Sequence, residues 1–386
     1  MKNFADYEVI QLTQQLVRIK STNPGVYEKE IGDFIFDWLS KIPGVEVLRE
    51  EFLPNRFNVV AHLKGEAQSP NFVFIEHMDI VPEGEGWSFD PYCGDLVDGK
   101  ILGRGAEDMK GGLAAGMAAF KEIALMGKKP KRSFVFIATG DEEGTDMAGV
   151  EQAIKNGWVT KDSWVLDSEA TDLGIVASYK GKIWFKLHAH GAAAHGSAPW
   201  AGVDAVAAAS EWICSFRRRV ANLPKHEQLM GCSAAFEEIA GGVNSNILAE
   251  KCTVRVDMRL VPPIGYDEAI GLIEEAIKDA KAAVPGSKFT YEITAKRPVV
   301  LHDKEAPLYK ELASVAAQVL GKEPAVDFYT GYTDTAVVAS TFNNPNCMSF
   351  GPGDGSRCHE PDELVDCEQI LVTQEALVKL AQKILY

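Results

Sequence analysis

Five short segments of the sequence each place a histidine or a carboxylate where an apolar run ends. They are His77-Met78-Asp79, Asp108 within residues 103–112, Asp141-Glu142-Glu143-Gly144, Asp167-Ser168-Glu169 and Cys358-His359-Glu360. Imidazole nitrogens and carboxylate oxygens are the ligands that zinc and similar cations take in proteins. Two imidazoles together with several carboxylates therefore predict a site for a pair of metal ions.

The segment at His77 combines a metal ligand with a group that can orient it. Side chains of a strand repeat every two residues, so His77 and Asp79 point to the same side. A carboxylate that accepts the second ring N–H of a histidine fixes its tautomer and makes the ring a better ligand. The alternative interpretation is a buried histidine that pairs with Asp79 for structural reasons.

Asp108 stands in a glycine-rich stretch that opens a helix, and a phosphate-binding loop is the first alternative there. Gly103-Arg104-Gly105 and Lys110-Gly111-Gly112 resemble such a loop superficially. The Walker spacing is absent, and Glu107 and Asp108 would repel phosphate groups. A metal-binding role for Asp108 is therefore favoured.

The run Asp141-Glu142-Glu143 follows the apolar segment 134–137. Neighbouring carboxylates repel each other, which raises the pKa of one of them unless a cation neutralises the charge. One carboxylate of such a run can bind a metal while the next acts as general base. The alternative is a solvated acidic turn.

Two further histidines stand in segments that leave room for a ligand. His359 follows the loop Gly351–Gly355, whose glycines allow the backbone to approach a crowded site. His195 lies among glycine, alanine and serine residues. Taken alone, His359 is more typical of a surface loop.

The elements that must position these side chains follow an α/β pattern. Continuous apolar runs at Asn71–Ile75, Arg132–Ala138 and Ser163–Leu166 are typical of strands buried on both faces. Helical patterns alternate with them, as in Gly111–Met126. This alternation predicts a mixed central sheet flanked by helices, with the site beyond the carboxyl ends of the strands.

The texture changes near Tyr179. Ile183–Ala189 and Cys252–Leu260 alternate apolar and polar residues, and helical patterns at Val203–Val220 and Tyr266–Ala283 follow them. We expect an inserted α+β domain of the β-α-β-β-α-β type, which is ferredoxin-like. The predicted domains are residues 1–179 and 295–386, which form the catalytic domain, and the insert 180–294.

Length and composition limit the classes of protein. A chain of 386 residues favours two domains, and a net charge of −16 argues against nucleic acid as a partner. No apolar stretch approaches the ~20 residues of a membrane span, and Met1–Tyr7 carries no apolar signal segment. Seven cysteines without a C-x-x-C pair indicate reduced thiols, so a cytoplasmic location is expected.

With these residues on the page, the sequence resembles a metal-dependent amidohydrolase and peptidase family. Its members include acetylornithine deacetylase, succinyl-diaminopimelate desuccinylase, aminoacylase and glutamate-releasing carboxypeptidases. The resemblance extends over essentially the whole chain. Its most specific blocks run from His77 through Trp87 and Pro91, over residues 103–112, and over Asp141–Gly144.

The resemblance implies a role for each of these residues. The expected metal ligands are His77, Asp108 and Glu169 for one zinc ion and Asp108, Glu143 and His359 for the other, with Asp108 as the bridge. Glu142 is expected to be the general base and Asp79 the residue that orients His77. His195 is similar to an insert-domain histidine that supports the oxyanion in the partner subunit of dimeric members. Asn246, Arg259 and Gly331 are expected to bind substrate.

Three positions depart from the family pattern. Glu76 stands where glycine is usual, Ala170 where proline is common, and Tyr332 where a small residue is frequent. None of them removes an expected ligand. They affect the expected identity of the substrate.

The sequence therefore predicts a two-metal hydrolase that binds two Zn²⁺ ions, or Co²⁺ in their place. The predicted substrate is a small N-acyl amino acid. The alternative within the family is a dipeptidase or a carboxypeptidase. A homodimer formed through the insert is expected, whereas no nucleic acid or membrane partner is. A non-catalytic homologue is the remote alternative, and a metal-independent acyl hydrolase is disfavoured because no G-x-S-x-G segment is present.

Overall fold

The computed structural model describes residues 3–144 and 146–386. The helices are α1 Glu8–Arg18, α2 Lys29–Leu39, α3 Gly111–Leu125, α4 Ala148–Lys155, α5 Ala205–Ala221, α6 Tyr266–Ala283, α7 Pro307–Leu320, α8 Asp334–Phe342 and α9 Cys367–Leu385. The strands are β1 Glu46–Leu53, β2 Arg56–Leu63, β3 Ala67–His77, β4 Leu96–Val97, β5 Lys100–Leu102, β6 Arg132–Thr139, β7 Trp164–Asp167, β8 Ile175–Tyr179, β9 Gly181–His190, β10 Ser233–Gly241, β11 Lys251–Leu260, β12 Lys288–Arg297, β13 Val326–Tyr329, β14 Cys347–Ser349 and β15 Leu364–Asp366.

The chain forms two compact units. The main unit comprises the residues up to Ala177 together with Leu301–Asp327 and Thr333–Tyr386. The insert unit comprises Ser178–Val300 and the short piece Phe328–Tyr332. The functional roles assigned from the sequence to residues 1–179, 180–294 and 295–386 stay predictions.

The central sheet has the strand order β1-β2-β6-β3-β7-β14-β8-β13. Strands β6, β3 and β7 run parallel to one another, while β1 and β2 add an antiparallel edge. Phe72, Phe74, Phe134 and Phe136 are fully buried between the sheet and its covering helices. The predicted mixed sheet flanked by helices is confirmed, and it brings the carboxyl ends of β3, β6 and β7 to one edge.

Helix α3 packs closely on the site because its first turns carry glycine. A Cβ atom on Gly112 would lie 2.0 Å from the carbonyl oxygen of Ser168, which precedes Glu169. Gly351, which follows β14, approaches the same oxygen from another element, and a Cβ there would lie 2.2 Å away. Glycine is required at both positions because any side chain would displace the backbone before Glu169.

The insert unit is a four-stranded antiparallel sheet in the order β10-β11-β9-β12. Its chain order is strand, helix, strand, strand, helix, strand, as the alternation predicts. Ile183, Phe185 and Leu187 of β9 are buried and share a core with Trp212 of α5 and Ile273 of α6. The unit therefore has a hydrophobic core of its own.

Several elements depart from the expectations. Strands β4 and β5, which form a small sheet with β15, lie in a segment where the sequence pattern indicates no strand. Helices α4 and α8 and strand β10 were not predicted. Helix α8 is buried along most of its length and so lacks an amphipathic stripe, whereas most of β10 is exposed and offers little alternation.

Among the described residues, none of the helices combines the length and the apolar character needed to cross a membrane.

Candidate metal centre

Three strand ends deliver four of the predicted site residues. His77 is the last residue of β3, Glu142 and Glu143 follow β6, and Glu169 comes two residues after β7. Because β6 and β7 flank β3 in parallel, their carboxyl ends meet at the same edge of the sheet. All four side chains belong to the main unit.

Asp108 lies between the two predicted histidine ligands. One carboxylate oxygen, Oδ1, lies 3.1 Å from Nε2 of His77, and the other, Oδ2, lies 3.3 Å from Nε2 of His359. The backbone of Asp108 departs from helical angles inside the turn Ala106–Lys110, with φ −120° and ψ 92°. Asp108 thus presents one oxygen to each side of the cluster.

Each histidine has a second carboxylate beside it. His77 Nε2 lies 3.6 Å from Oε1 of Glu169, and His359 Nε2 lies 3.1 Å from Oε2 of Glu143. Ligand atoms of His77, Asp108 and Glu143 all lie within 4.8 Å of one another, and so do those of His77, Glu142 and Glu169. The structure brings the five predicted ligands and Glu142 together in one cluster.

The charges of the cluster fit a cationic group. Burial raises the pKa of Glu142 and of Glu169 well above the usual value, although the charge of His77 opposes this. Burial lowers the pKa of His77, but the hydrogen bond to Asp108 and the charges of Glu142 and Glu169 outweigh it, so this pKa is also raised. These directions reflect an excess of buried carboxylates, whose charge a bound cation would neutralise.

Asp79 contacts the cluster through two different groups. Its main-chain carbonyl accepts the hydrogen bond at His77 Nδ1, at 2.9 Å, while its carboxylate Oδ1 lies 3.9 Å from that nitrogen. The carboxylate instead accepts the backbone N–H groups of Glu142 and Glu143, both at 3.2 Å. His77 Nδ1 is thus paired with the main-chain carbonyl of Asp79 and not, as the sequence predicted, with its carboxylate, and the carboxylate instead holds the Glu142-Glu143 turn.

Two carboxylates that sequence reasoning did not assign hold the segments of Asp108 and His359. Glu363 is fully buried, pairs with Arg104 at 2.5 Å, and accepts the backbone N–H of Asp108 at 3.1 Å. Glu107 accepts the backbone N–H groups of Gly355 and Arg357, at 3.1 and 3.3 Å, in the loop that leads to His359. Nothing in the local sequence distinguishes these two from ordinary surface acids.

The remaining predicted residues lie in the insert unit. His195 is exposed and its Nδ1 lies 2.7 Å from the hydroxyl of Ser197. The segment of His195 pairs with that of Asn246, since the N–H of Gly196 donates to the carbonyl of Asn246 at 2.9 Å. The structure therefore places His195 and the exposed Asn246 on neighbouring segments.

Arg259 is already paired within the insert unit. Its guanidinium donates from Nε and Nη2 to the two carboxylate oxygens of Asp257, each at 2.8 Å. Its third nitrogen, Nη1, donates to the carbonyl of Thr330 at 3.2 Å, beside Gly331. Arg259 and Gly331, both expected to bind substrate, are thus brought close together.

The three departures from the family pattern have separate surroundings. Glu76 is buried, and its carboxylate accepts both the N–H and the hydroxyl of Ser168, at 2.8 and 2.9 Å. Ala170 is buried. The hydroxyl of Tyr332 donates to the carbonyl of Pro298 at 3.1 Å. The extra carboxylate at position 76 thus accepts hydrogen bonds from Ser168, the residue directly before Glu169.

Comparison with known proteins places these features in a family. The sequence model of peptidase family M20/M25/M40 matches residues 73–383. A probable succinyl-diaminopimelate desuccinylase of Staphylococcus aureus (strain MRSA252) is 25% identical, over 96% of this chain and 96% of that protein. An acetylornithine deacetylase of Erwinia tasmaniensis is 27% identical, over 84% of this chain and 83% of that protein.

A solved structure shares the fold. It is the YXEP protein of Bacillus subtilis, described as a dinuclear metal binding peptidase from the M20 family. Its TM-score is 0.72 at 17% identity, with 98% of this chain and 97% of that chain covered.

Proposed function

The chain belongs to peptidase family M20/M25/M40, whose members are metal-dependent hydrolases of amide bonds, and from this membership we propose that it is a two-metal hydrolase of small N-acyl amino acids. The proposal depends most on one observation. The two oxygens of Asp108 face His77 and His359, at 3.1 and 3.3 Å, and each histidine has a further carboxylate beside it.

The proposed ligand sets follow from this arrangement. One Zn²⁺ would be held by His77, Asp108 and Glu169, and the other by Asp108, Glu143 and His359. Co²⁺ could replace either ion. The description of the Bacillus subtilis neighbour as dinuclear supports two ions. Bound cations of this kind polarise the amide carbonyl and make water a stronger nucleophile at neutral pH.

Glu142 is proposed as the group that moves the proton. Its carboxylate lies within 4.8 Å of ligand atoms of His77 and Glu169, and its backbone N–H donates to Asp79. From this position it takes the proton of the attacking water and delivers it to the nitrogen of the leaving amine. Asp79 holds His77 and the Glu142-Glu143 turn in position relative to each other.

The insert unit is proposed to bind the substrate. His195 donates to the oxyanion that develops on the amide carbonyl. Arg259, with its planar guanidinium, binds the carboxylate of the amino acid, and Asn246 and Gly331 complete that subsite. The family resemblance supports these four roles, and the adjacency of Arg259 to residue 331 supports a shared subsite.

The acyl group is proposed to be acetyl or succinyl, as the names of the two relatives suggest. A dipeptidase or carboxypeptidase activity is the second candidate, favoured by the peptidase description of the structural neighbour. We also propose a homodimer formed through the insert unit, in which His195 serves the partner's site. The cytoplasmic location expected from the cysteines stays a prediction.

The test is a hydrolysis screen of the purified protein. N-acetyl amino acids, N-succinyl amino acids and dipeptides are incubated with chelator-treated protein, alone and after addition of Zn²⁺ or Co²⁺. We expect one class to be hydrolysed only after metal is restored, with two ions bound per chain. Hydrolysis that is equal with and without metal would overturn the proposed mechanism, and cleavage of dipeptides alone would favour the second candidate.

A further inference from the structure

A buried hydrogen-bond network holds the Glu142-Glu143 turn, and none of its residues is among the proposed metal ligands or substrate-binding residues. It consists of Asn23, Glu28, Arg56, Asp79 and Asp141, and we call it the Asn23 network. Asn23, Glu28, Asp79 and Asp141 are each less than a tenth exposed. All five belong to the main unit.

Asn23 joins the two carboxylates that hold the turn. Its Nδ2 donates to Oδ2 of Asp79 at 2.8 Å and to Oδ1 of Asp141 at 3.1 Å. Its own backbone is fixed, because its N–H donates to the carbonyl of Ile80 at 2.8 Å. One amide group thus supplies both of its protons to two buried acids.

Arg56 and Glu28 close the far side of the network. Arg56 donates from Nε and Nη2 to the two carboxylate oxygens of Glu28, and its Nη2 also lies 3.0 Å from Oδ1 of Asp141. Glu28 in turn accepts the backbone N–H of Asp141 at 3.1 Å. Asp141 has a φ of 69°, so the residue that begins the turn is held in the left-handed region from three sides.

These contacts fix the backbone position of residues 141–143. Asp141 is held by Asn23, Glu28 and Arg56, while Glu142 and Glu143 donate their N–H groups to Asp79. Without the amide of Asn23, Asp79 and Asp141 would face each other as two buried carboxylates, which repel. Asn23 is therefore the neutral group that allows both acids to stay in place.

We propose that Asn23 is a positioning residue, which holds Glu142 and Glu143 in their working geometry through Asp79 and Asp141. The inference rests on the proposed function for what Glu142 and Glu143 do. It adds a residue from the first loop of the chain to the machinery of the site.

The test compares Asn23→Asp with Asn23→Ala. The aspartate has the shape of asparagine but adds a third carboxylate between two others, whereas alanine only removes the donors. For the best substrate of the wild type, we expect kcat to fall roughly 10-fold for Asn23→Ala and about 100-fold for Asn23→Asp, with KM within about twofold. A residue that only fills space would give the opposite order, because the isosteric aspartate would be the milder change.

Hydrogen exchange of the metal-free protein gives a readout that does not depend on activity. We expect the amides of Glu142 and Glu143 to exchange faster in both variants than in the wild type. The matched control is Asn71→Ala, which also removes a side-chain amide that donates a hydrogen bond, in this case at 2.9 Å to the carbonyl of Trp158. This control should leave kcat and exchange at residues 142 and 143 unchanged.

Three results would overturn the proposal: an Asn23→Asp variant as active as Asn23→Ala, unchanged exchange at residues 142 and 143, or equal effects in the Asn71 control. If Asn23→Asp does not fold, Asn23→Ser replaces it. Serine keeps one donor, so its kcat should lie between those of the wild type and Asn23→Ala, and a value equal to that of Asn23→Ala would count against the proposal. A wild type that hydrolyses none of the amides would refute the proposed function, while the exchange data would still decide the role of Asn23.

Discussion

Two groups of predicted site residues differ in their exposure to solvent. One is the candidate metal-ligand cluster of the main unit, and the other is the set of predicted substrate-binding residues of the insert unit. His77 and Glu169 are less than a tenth exposed and lie against other ligands of the cluster. His195 and Asn246 are exposed. The candidate metal ligands of the main unit therefore include buried side chains that other groups already hold, whereas the histidine and the asparagine of the insert unit are open to solvent.

The two regions also differ in how their charges are balanced. The cluster of the main unit has more carboxylates than cations, and its histidines stand between acids. In the insert unit, Arg259 already has both oxygens of Asp257 at 2.8 Å. Under the proposed function, metal ions would balance the charge of the first region, whereas a substrate carboxylate would compete with Asp257 for Arg259 in the second.

The largest expected effect tests the main unit. Glu142→Gln keeps the shape of the side chain but cannot accept a proton, so kcat should fall by roughly 10²–10⁴-fold. Metal content, measured by elemental mass spectrometry, should stay near two ions per chain because Glu142 is not a proposed ligand. The exposed Glu122→Gln on α3 is the control. Activity retained in Glu142→Gln would remove Glu142 as the base.

The next effect tests the insert unit. His195→Ala should lower kcat by about 10²–10³-fold, the usual cost of one oxyanion donor. If the histidine serves the partner's site, mixing this variant with Glu142→Gln should restore part of the activity, since one site of each mixed dimer has both groups intact. Absence of rescue in mixed dimers verified by native mass spectrometry would contradict the exchange of His195 between subunits.

A smaller effect separates metal binding from chemistry within the main unit. Glu107→Ala leaves the N–H groups of Gly355 and Arg357 without their acceptor and frees the loop of His359. We expect the affinity for one of the two metal ions to drop roughly 10–100-fold, as for other groups that support ligands indirectly. Chelator competition measures this affinity, and equal binding in variant and wild type would show that Glu107 does not hold the loop.

The smallest effect concerns the carboxylate subsite. Arg259→Lys keeps the charge but loses the forked contacts, so KM should rise about 10-fold, or ~1.4 kcal/mol of binding, with kcat little changed. Arg255→Lys is the matched control, because Arg255 lies on the same strand and pairs with Glu238 at 3.3 Å in an exposed position. A fall in kcat with constant KM would move Arg259 from substrate binding to the reaction itself.

Much of the fold follows from local sequence signals. Helix α6 has the residues that its periodicity predicts, Tyr266–Ala283. Asp366 begins α9 by accepting the N–H of Glu368, which is an ordinary N-cap. Helix α8 was missed because burial on nearly all sides removes the periodicity on which such predictions depend.

The sequence predicts residues of the candidate site only where a side chain that can bind metal follows an apolar run typical of a strand. His77, Glu143 and Glu169 each follow an apolar run, so their convergence follows from parallel strands. Asn23 and Glu363 lie far along the chain from the groups they hold, in segments typical of a helix end and an acidic loop. Their importance comes from three-dimensional proximity, which no local pattern expresses.

The two glycines that press on Ser168 have a consequence for how this chain tolerates change. Gly112 and Gly351 are not proposed to touch metal or substrate. Yet neither position has space for a Cβ atom beside the backbone that carries Glu169. A saturation library should find these positions as intolerant as the metal ligands themselves. Positions that tolerate no substitution will therefore include residues that pack against the backbone of the site as well as residues that carry out its chemistry. Whether a variant still binds metal distinguishes the two kinds of position.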